Sequence, residues 1–237
     1  MLDEGMIFAS DSRTNAGLDN IAKFCKMTVF ERPGDRVLVL LSSGSLAGTQ
    51  AVISVLTQRA AAPEEGPTLW TAKTMFDVAR VVSDAMREIE HRDKEHLEKS
   101  DLSFNASFIL GGQLKGEPMR LFRIYAEGNF IEAGGDTMYL QTGEAKYGKS
   151  IMERVINPTT SLSDAVKCVL VSFDSTMRSN LSVGMPIDLM CYERDALAVS
   201  KRRRFEQGDP YFGALTKEWS AGVRAAFGRL PAPEWGD

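Results

Sequence analysis

The stretch that decides the fold is GMIFASDSRTNAG, residues 5–17, in which an apolar run becomes polar within a few positions. Met6–Ala9 predict a buried strand, and Ser10–Arg13 bring a carboxylate and a guanidinium to its end. Asp3–Gly5, just before it, have the composition of a tight hairpin turn. Because a hairpin needs two strands and only two residues precede this turn, the sequence predicts a motif that begins upstream of Met1.

The composition is that of an ordinary globular domain and argues against several functional classes. The 237 residues are 43% hydrophobic and 25% charged, and the net charge of −4 does not favour general nucleic-acid binding. Three cysteines and two histidines are too scattered for a disulfide framework or a metal site, and no cluster indicates an organic cofactor. No apolar stretch approaches the ~20 residues of a membrane span, and no secretion signal is present. We therefore expect a cytoplasmic protein with no metal, no cofactor, no nucleic-acid partner and no membrane contact.

Hydrophobic periodicity in the first half predicts a strand, two helices and a sheet. Residues 37–41 are a continuous apolar run, which is typical of a strand covered on both faces, and residues 46–56 predict a helix. An amphipathic helix is predicted from Met75 to Ile89, where apolar residues recur at steps of three and four. Strand patterning begins at 104–110 and continues as an antiparallel meander to about residue 129.

The second half predicts two more helices and one strand. The sequence SLSD at 161–164 is a capping box, and the apolar stripe that follows it extends the predicted helix to Phe173. Residues 185–192 predict a strand. A last helix is predicted from about Pro210, with an apolar stripe that ends at Phe227.

A basic run, Lys201–Arg204, precedes the last helix. It predicts a solvated lead into that helix or a subunit contact, with a polyanion-binding patch as the less favoured alternative. With no repeat, low-complexity tract or linker, the pattern predicts one α+β domain over residues 1–237, with a C-terminal helical extension from about residue 205.

Three further stretches, together with residues 5–17, resemble proteasome-type β subunits. They are IAKFCKM at 21–27, FERPGDR at 30–36 and DSTMRSNLSVG at 174–184. The sequence looks most like the bacterial branch called Anbu, the ancestral beta-subunit proteins, and the similarity spans most of the chain. The resemblance implies a four-layer αββα sandwich, in which two stacked antiparallel sheets are flanked by helices. It also implies a nucleophilic threonine on a first strand, a few residues upstream of Met1.

Such a threonine needs supporting groups, because its hydroxyl is a poor nucleophile at neutral pH. The chain's own α-amine can act as the base, and a lysine ammonium can stabilise the alkoxide and keep that amine neutral. A partly buried ammonium in turn needs a counter-charge. Asp11 and Lys26 fit these two roles, since Asp11 ends one strand and Lys26 directly precedes the next. Lys23, three residues earlier, is the alternative lysine.

Acyl transfer also needs an oxyanion hole, which is often built from a backbone N–H at a strand-to-helix turn. Gly44 follows a predicted strand and precedes a predicted helix. The resemblance assigns the oxyanion glycine to this turn, and Ser42 and Ser45 would then line a small polar pocket.

Two segments map to the rim of this pocket by resemblance alone. Thr142 and Gly143 occupy the position of a Ser-Gly pair, so the Thr142 hydroxyl would lie near the amine. Ser182 keeps the hydroxyl of an Arg-Asp-x-x-Ser pattern, whereas Ser179 stands where that pattern has an aspartate. The departure at Ser179 removes a carboxylate from the neighbourhood of the amine.

The resemblance implies a threonine-type peptidase subunit that cleaves peptide or protein substrates and assembles with copies of itself into a ring or spiral. The chain begins with Met1 rather than threonine and is expected to be inactive without the upstream residue. Two alternatives stay open at this point. One is a non-catalytic, self-assembling scaffold subunit of the same fold, and the other is an amidohydrolase acting on a small substrate.

Overall fold

A computed structural model describes residues 1–15, 21–62, 66–99 and 104–235. The described strands are β1 (Gly5–Asp11), β2 (Arg13–Asn15), β3 (Ile21–Lys23), β4 (Met27–Arg32), β5 (Arg36–Gly44), β6 (Ala106–Leu114), β7 (Arg120–Ile124), β8 (Phe130–Glu132), β9 (Ile187–Glu193) and β10 (Lys201–Phe205). The described helices are α1 (Leu46–Ala61), α2 (Met75–Lys99), α3 (Lys146–Val155), α4 (Leu162–Ser179) and α5 (Pro210–Phe227). Residues 16 and 17 of the stretch quoted at the outset lie outside the described part.

The strands form two antiparallel sheets and a separate short hairpin. β4 to β8 pair in chain order as a five-stranded meander, and β1, β9 and β10 form a three-stranded sheet with β9 in the centre. β2 and β3 pair only with each other among the described strands. The predicted meander is therefore confirmed, and it is extended on one side by β4 and β5.

Three hydrophobic cores separate four layers of structure. The first core, which includes Met86 and Phe108, lies between α1–α2 and the five-stranded sheet. The second, which includes Phe8 and Ile109, lies between the two sheets. The third, which includes Leu189, lies between the three-stranded sheet and α4–α5. The order helix, sheet, sheet, helix confirms the predicted αββα sandwich.

β5 is the strand that joins two of these cores. Leu38 and Leu40 belong to the helix-side core, whereas Val37 and Val39 belong to the core between the sheets. Successive side chains of a strand point to opposite faces, so both faces of β5 are covered, as its continuous apolar run predicts. Each of these buried aliphatic side chains contributes about 1.5–3 kcal/mol to the free energy of unfolding.

The predicted helices are confirmed, and their first residues follow the expected capping chemistry. The Ser45 side chain caps α1, and the Ser161 hydroxyl accepts from the Asp164 backbone N–H at 3.1 Å at the start of α4. α5 begins at Pro210, where a missing N–H costs nothing because the first helical N–H groups have no partner within the helix. The charged second half of α2 lies mostly exposed.

The basic run 201–204 forms strand β10 at the edge of the three-stranded sheet, a strand that the sequence patterns did not predict, and its four side chains are exposed. Most of its charges are paired, with Lys201 bonded to Glu193 on β9 and Arg203 to Asp209 at the start of α5. These pairs weaken the case for a polyanion patch, because the local positive charge is largely balanced. Helix α3 and the β2–β3 hairpin are elements that the sequence patterns did not predict.

Candidate active site

An ion pair joins the end of β1 to the residue before β4. The Lys26 ammonium donates to Asp11 Oδ1 at 2.6 Å, and the two side chains are 23% and 11% exposed. The other carboxylate oxygen, Oδ2, accepts from the backbone N–H groups of Arg13 at 3.1 Å and Gly184 at 3.2 Å. The carboxylate is therefore fixed by three donors, while the ammonium keeps N–H groups for a further partner.

The alternative lysine occupies a different environment. Lys23 is exposed on β3, in the short β2–β3 hairpin. The structure therefore brings Lys26, and not Lys23, to Asp11.

A cavity of about 720 Å³ lies beside this ion pair, and both members of the pair line it. Its walls combine polar groups, such as Ser42 and Thr142, with apolar side chains from the core between the sheets, such as Phe8. This size and mixed lining suit a site that binds an extended chain or a small molecule.

The cavity follows the edge of β1. The consecutive residues Ile7–Asp11 all line it, and because neighbouring side chains of a strand point to opposite faces, this contact places the cavity along the strand's edge. The consecutive residues Tyr139–Glu144 line the cavity as well. At one end, the Met1 backbone nitrogen donates to the Met138 carbonyl oxygen at 2.8 Å. The cavity is thus a slot between β1 and the segment 139–144.

Gly44 lines this cavity at the end of β5 and requires glycine for two reasons. Its φ of +97° lies in the left-handed region, and a Cβ there would come within 2.1 Å of the Asn105 carbonyl oxygen. Ser42 also lines the cavity, and its backbone N–H donates to the Lys26 carbonyl oxygen at 2.9 Å. Ser45, by contrast, is absent from the cavity lining because its hydroxyl accepts from the Gly48 N–H and caps α1.

The predicted pair Thr142 and Gly143 also lines the cavity. The Thr142 hydroxyl hydrogen-bonds to the Ser107 hydroxyl at 2.7 Å, which ties this part of the lining to β6. Gly143 adopts a φ of +72°, and a Cβ there would come within 2.8 Å of the Ser43 hydroxyl. Ser107 carried no sequence signal, because it stands 35 residues from its partner.

The two predicted serines near the end of α4, Ser179 and Ser182, differ in their position relative to the cavity. Ser179 is exposed at the last residue of α4 and is absent from the cavity lining, whereas Ser182 is part of that lining. The Ser182 hydroxyl donates to Asn180 Oδ1 at 2.7 Å, and Asn180 Nδ2 donates to Glu144 at 2.7 Å. The sequence did not indicate Glu144 or Asn180, because they meet across 36 residues.

Other ligand-binding features are sparse in the part of the chain that the structure describes. There, no group of three or more histidine, cysteine, aspartate or glutamate side chains could hold a metal ion. The cysteines Cys25, Cys168 and Cys191 are free thiols. None of the described helices is both long and apolar enough to cross a membrane.

The fold and the site together define a class of protein. Two stacked antiparallel sheets lie between helical layers, and a buried carboxylate at the end of β1 holds a lysine beside a slot at the edge of that strand. This is the architecture of the N-terminal-nucleophile hydrolases.

Comparison with solved structures identifies the family. A Gly-1 mutant of Anbu from Hyphomicrobium sp. strain MC1 is 49% identical with a TM-score of 0.92, and the match covers 99% of this chain and 96% of that one. Anbu from Yersinia bercovieri is 45% identical with a TM-score of 0.92, covering 99% and 97%. Anbu from Pseudomonas aeruginosa, described as a helical assembly, is 46% identical with a TM-score of 0.93, covering 98% and 95%. No protein-family model matches the chain, and no curated protein does either. The chain belongs to the Anbu family of proteasome-like beta subunits.

Proposed function

We propose that this chain is a threonine-type peptidase subunit whose nucleophile is a threonine upstream of Met1. The observation that carries this proposal is the Asp11–Lys26 pair, held beside a cavity that follows the edge of β1. A fixed ammonium beside such a slot suits the activation of a hydroxyl that an added strand would bring to it.

The turn before β1 supports this position for the nucleophile. Leu2 and Gly5 exchange backbone hydrogen bonds, which makes them the closing pair of a two-residue hairpin turn. Continued antiparallel pairing places Met1 opposite Met6 and each earlier residue one step further along β1. With a rise of ~3.4 Å per residue in both strands, the residue opposite Asp11 would lie about five positions upstream of Met1.

In the proposed reaction, the α-amine of the threonine, Lys26 and Gly44 each have one role. The threonine Oγ adds to the carbonyl carbon of the scissile amide, and its proton passes to the α-amine of the same residue. Lys26 stabilises the alkoxide, and the backbone N–H of Gly44 stabilises the oxyanion. When the C–N bond breaks, the departing amine takes the proton and an ester remains. Water then hydrolyses that ester and restores the hydroxyl.

We also propose that the chain assembles with copies of itself, as the Pseudomonas aeruginosa relative does. The apolar stripe of α5 begins with buried Phe212, which packs on the third core, and continues to exposed Val223 and Phe227. An apolar helix face that extends past its own core suits a contact with a second subunit. A ring or a spiral would satisfy such a contact.

Replacing Val223 and Phe227 with glutamate should break this contact, since each subunit interface would then bury two unpaired charges. We expect the mass measured by light scattering to fall toward that of a smaller species, with the fold retained by circular dichroism. The exposed Ile131 on β8 provides a matched control, and Ile131→Glu should leave the mass unchanged. Assemblies of full size in the double variant would exclude α5 from the interface.

The first test of the catalytic proposal is to read the in-frame codons upstream of Met1. We expect a threonine followed by a mainly apolar strand, because the slot combines the edge of β1 with apolar walls. The chain carrying this strand, with threonine as its free N-terminus, should hydrolyse fluorogenic peptide amides, and the same chain with alanine in that position should not.

The outcome of this assay separates the alternatives. Assembly without hydrolysis of any amide would support the scaffold subunit. Hydrolysis limited to small or side-chain amides would support the amidohydrolase. The free thiols suit a reducing compartment, and we propose the cytoplasm as the setting of the reaction.

A further inference from the structure

A chain of hydrogen bonds leads from a rim carboxylate to the cavity. Glu144 Oε1 accepts from the Lys146 backbone N–H at 2.9 Å, and its Oε2 accepts from Asn180 Nδ2 at 2.7 Å. Asn180 Oδ1 then accepts from both the backbone N–H and the hydroxyl of Ser182, at 2.8 and 2.7 Å. Glu144 and Ser182 both line the cavity.

The charge on Glu144 and the Ser182 backbone N–H together set the orientation of the Asn180 amide. The Lys146 backbone N–H and the Asn180 amide lower the pKa of Glu144 from its ordinary value. At neutral pH this side chain is therefore ionised, and it can accept hydrogen bonds but not donate them. Asn180 must therefore turn its NH₂ group toward Glu144. Its carbonyl oxygen then faces Ser182, where the backbone N–H requires an acceptor.

The same orientation settles which way the Ser182 hydroxyl points. Because its proton is donated to Asn180, the hydroxyl oxygen can only accept from a group in the cavity, through its lone pairs. A hydroxyl in this state suits an N–H donor, such as an amine, better than it suits another acceptor.

We propose that Glu144 is a positioning residue that acts through Asn180 to hold the Ser182 hydroxyl as an acceptor for an amine in the cavity. This inference rests on the proposed function, in which the amine is the α-amine of the nucleophilic threonine. In the Arg-Asp-x-x-Ser pattern an aspartate stands at the position of Ser179, so this chain lacks a carboxylate there. Glu144, which directly follows Gly143, would supply a carboxylate from a different segment.

Glu144→Gln tests the inference in the chain that carries the upstream threonine. Glutamine places an NH₂ group against one of the two donors that Glu144 now accepts from, so the orientation of Asn180 is held only by the Ser182 backbone N–H. We expect kcat to fall about tenfold with KM unchanged, as the loss of one charge-assisted hydrogen bond implies. Ser182→Ala should cost a similar factor, and the double variant should be no slower than the slower single variant. Ser182→Thr, which keeps a hydroxyl, should recover most of the rate.

The control is Glu193→Gln, which alters an exposed ion pair with Lys201 on the β9–β10 surface and should leave kcat unchanged. Additive losses in the double variant, or an unchanged kcat for Glu144→Gln, would overturn the inference.

A second measurement does not depend on hydrolysis. The side-chain amide protons of Asn180, followed by NMR in the chain without the upstream strand, should shift upfield in Glu144→Gln because a charged acceptor is lost. If the parent with its threonine hydrolyses nothing, the proposed function fails, and this signal alone decides whether Glu144 orients Asn180. An unchanged Asn180 signal would refute the inference in either case.

Discussion

Lys26→Ala, in the chain that carries an upstream threonine, should lower kcat for a peptide amide by at least ~100-fold while assembly persists. The ammonium lies 2.6 Å from Asp11 and faces the cavity, and its other N–H groups remain available to an alkoxide. Alanine removes this charge at the point where the negative charge develops. The fold should survive, because Asp11 keeps the backbone donors Arg13 and Gly184.

Steady-state kinetics with a fluorogenic peptide, together with light scattering, would measure both effects. Lys23→Ala is the matched control, because Lys23 is exposed on β3, and its kcat should remain within about twofold of the parent. Full turnover in the Lys26 variant would remove this residue from the mechanism.

Asp11→Ala should have the largest effect on stability among the site residues. It leaves the Lys26 ammonium without a counter-charge and deprives the backbone N–H groups of Arg13 and Gly184 of their acceptor. Removing one partner from a buried pair costs 3–5 kcal/mol in general, and because Lys26 retains some exposure we expect about 2 kcal/mol here. Hydrolysis should be lost as well, since the lysine is no longer held in place.

Urea denaturation of the parent and the variant would measure this loss. Asp84→Ala is a suitable comparison, because Asp84 forms an exposed ion pair with Arg87 on α2 and should cost less than about 0.5 kcal/mol. Equal losses in the two variants would mean that the Asp11–Lys26 pair behaves as an ordinary surface contact.

Local sequence patterns predicted most of the architecture, because burial imposes a period on them. The spacing from Met75 to Ile89 predicts α2, and the unbroken apolar run 37–41 predicts a strand between two cores; both are observed. Strand β10 was not predicted because Lys201–Arg204 show no apolar alternation; the strand is defined by its backbone pairing with β9.

The site could be predicted only in part. Asp11 and Lys26 stand 15 residues apart, so their contact followed from resemblance rather than from periodicity. The bond between Glu144 and Asn180 joins two loops across 36 residues, and neither local pattern nor the family motif pointed to it. Long-range polar contacts of this kind arise from the stacking of complete layers, which single-segment patterns do not encode.

A structure of the chain preceded by its threonine-led strand tests the central proposal most directly. We expect the added residues to pair antiparallel with β1 inside the slot, and the threonine Oγ to lie within about 3.2 Å of Lys26 Nζ. A strand seated elsewhere, or a threonine hydroxyl more than about 6 Å from that nitrogen, would contradict the role of the Asp11–Lys26 pair in activating it.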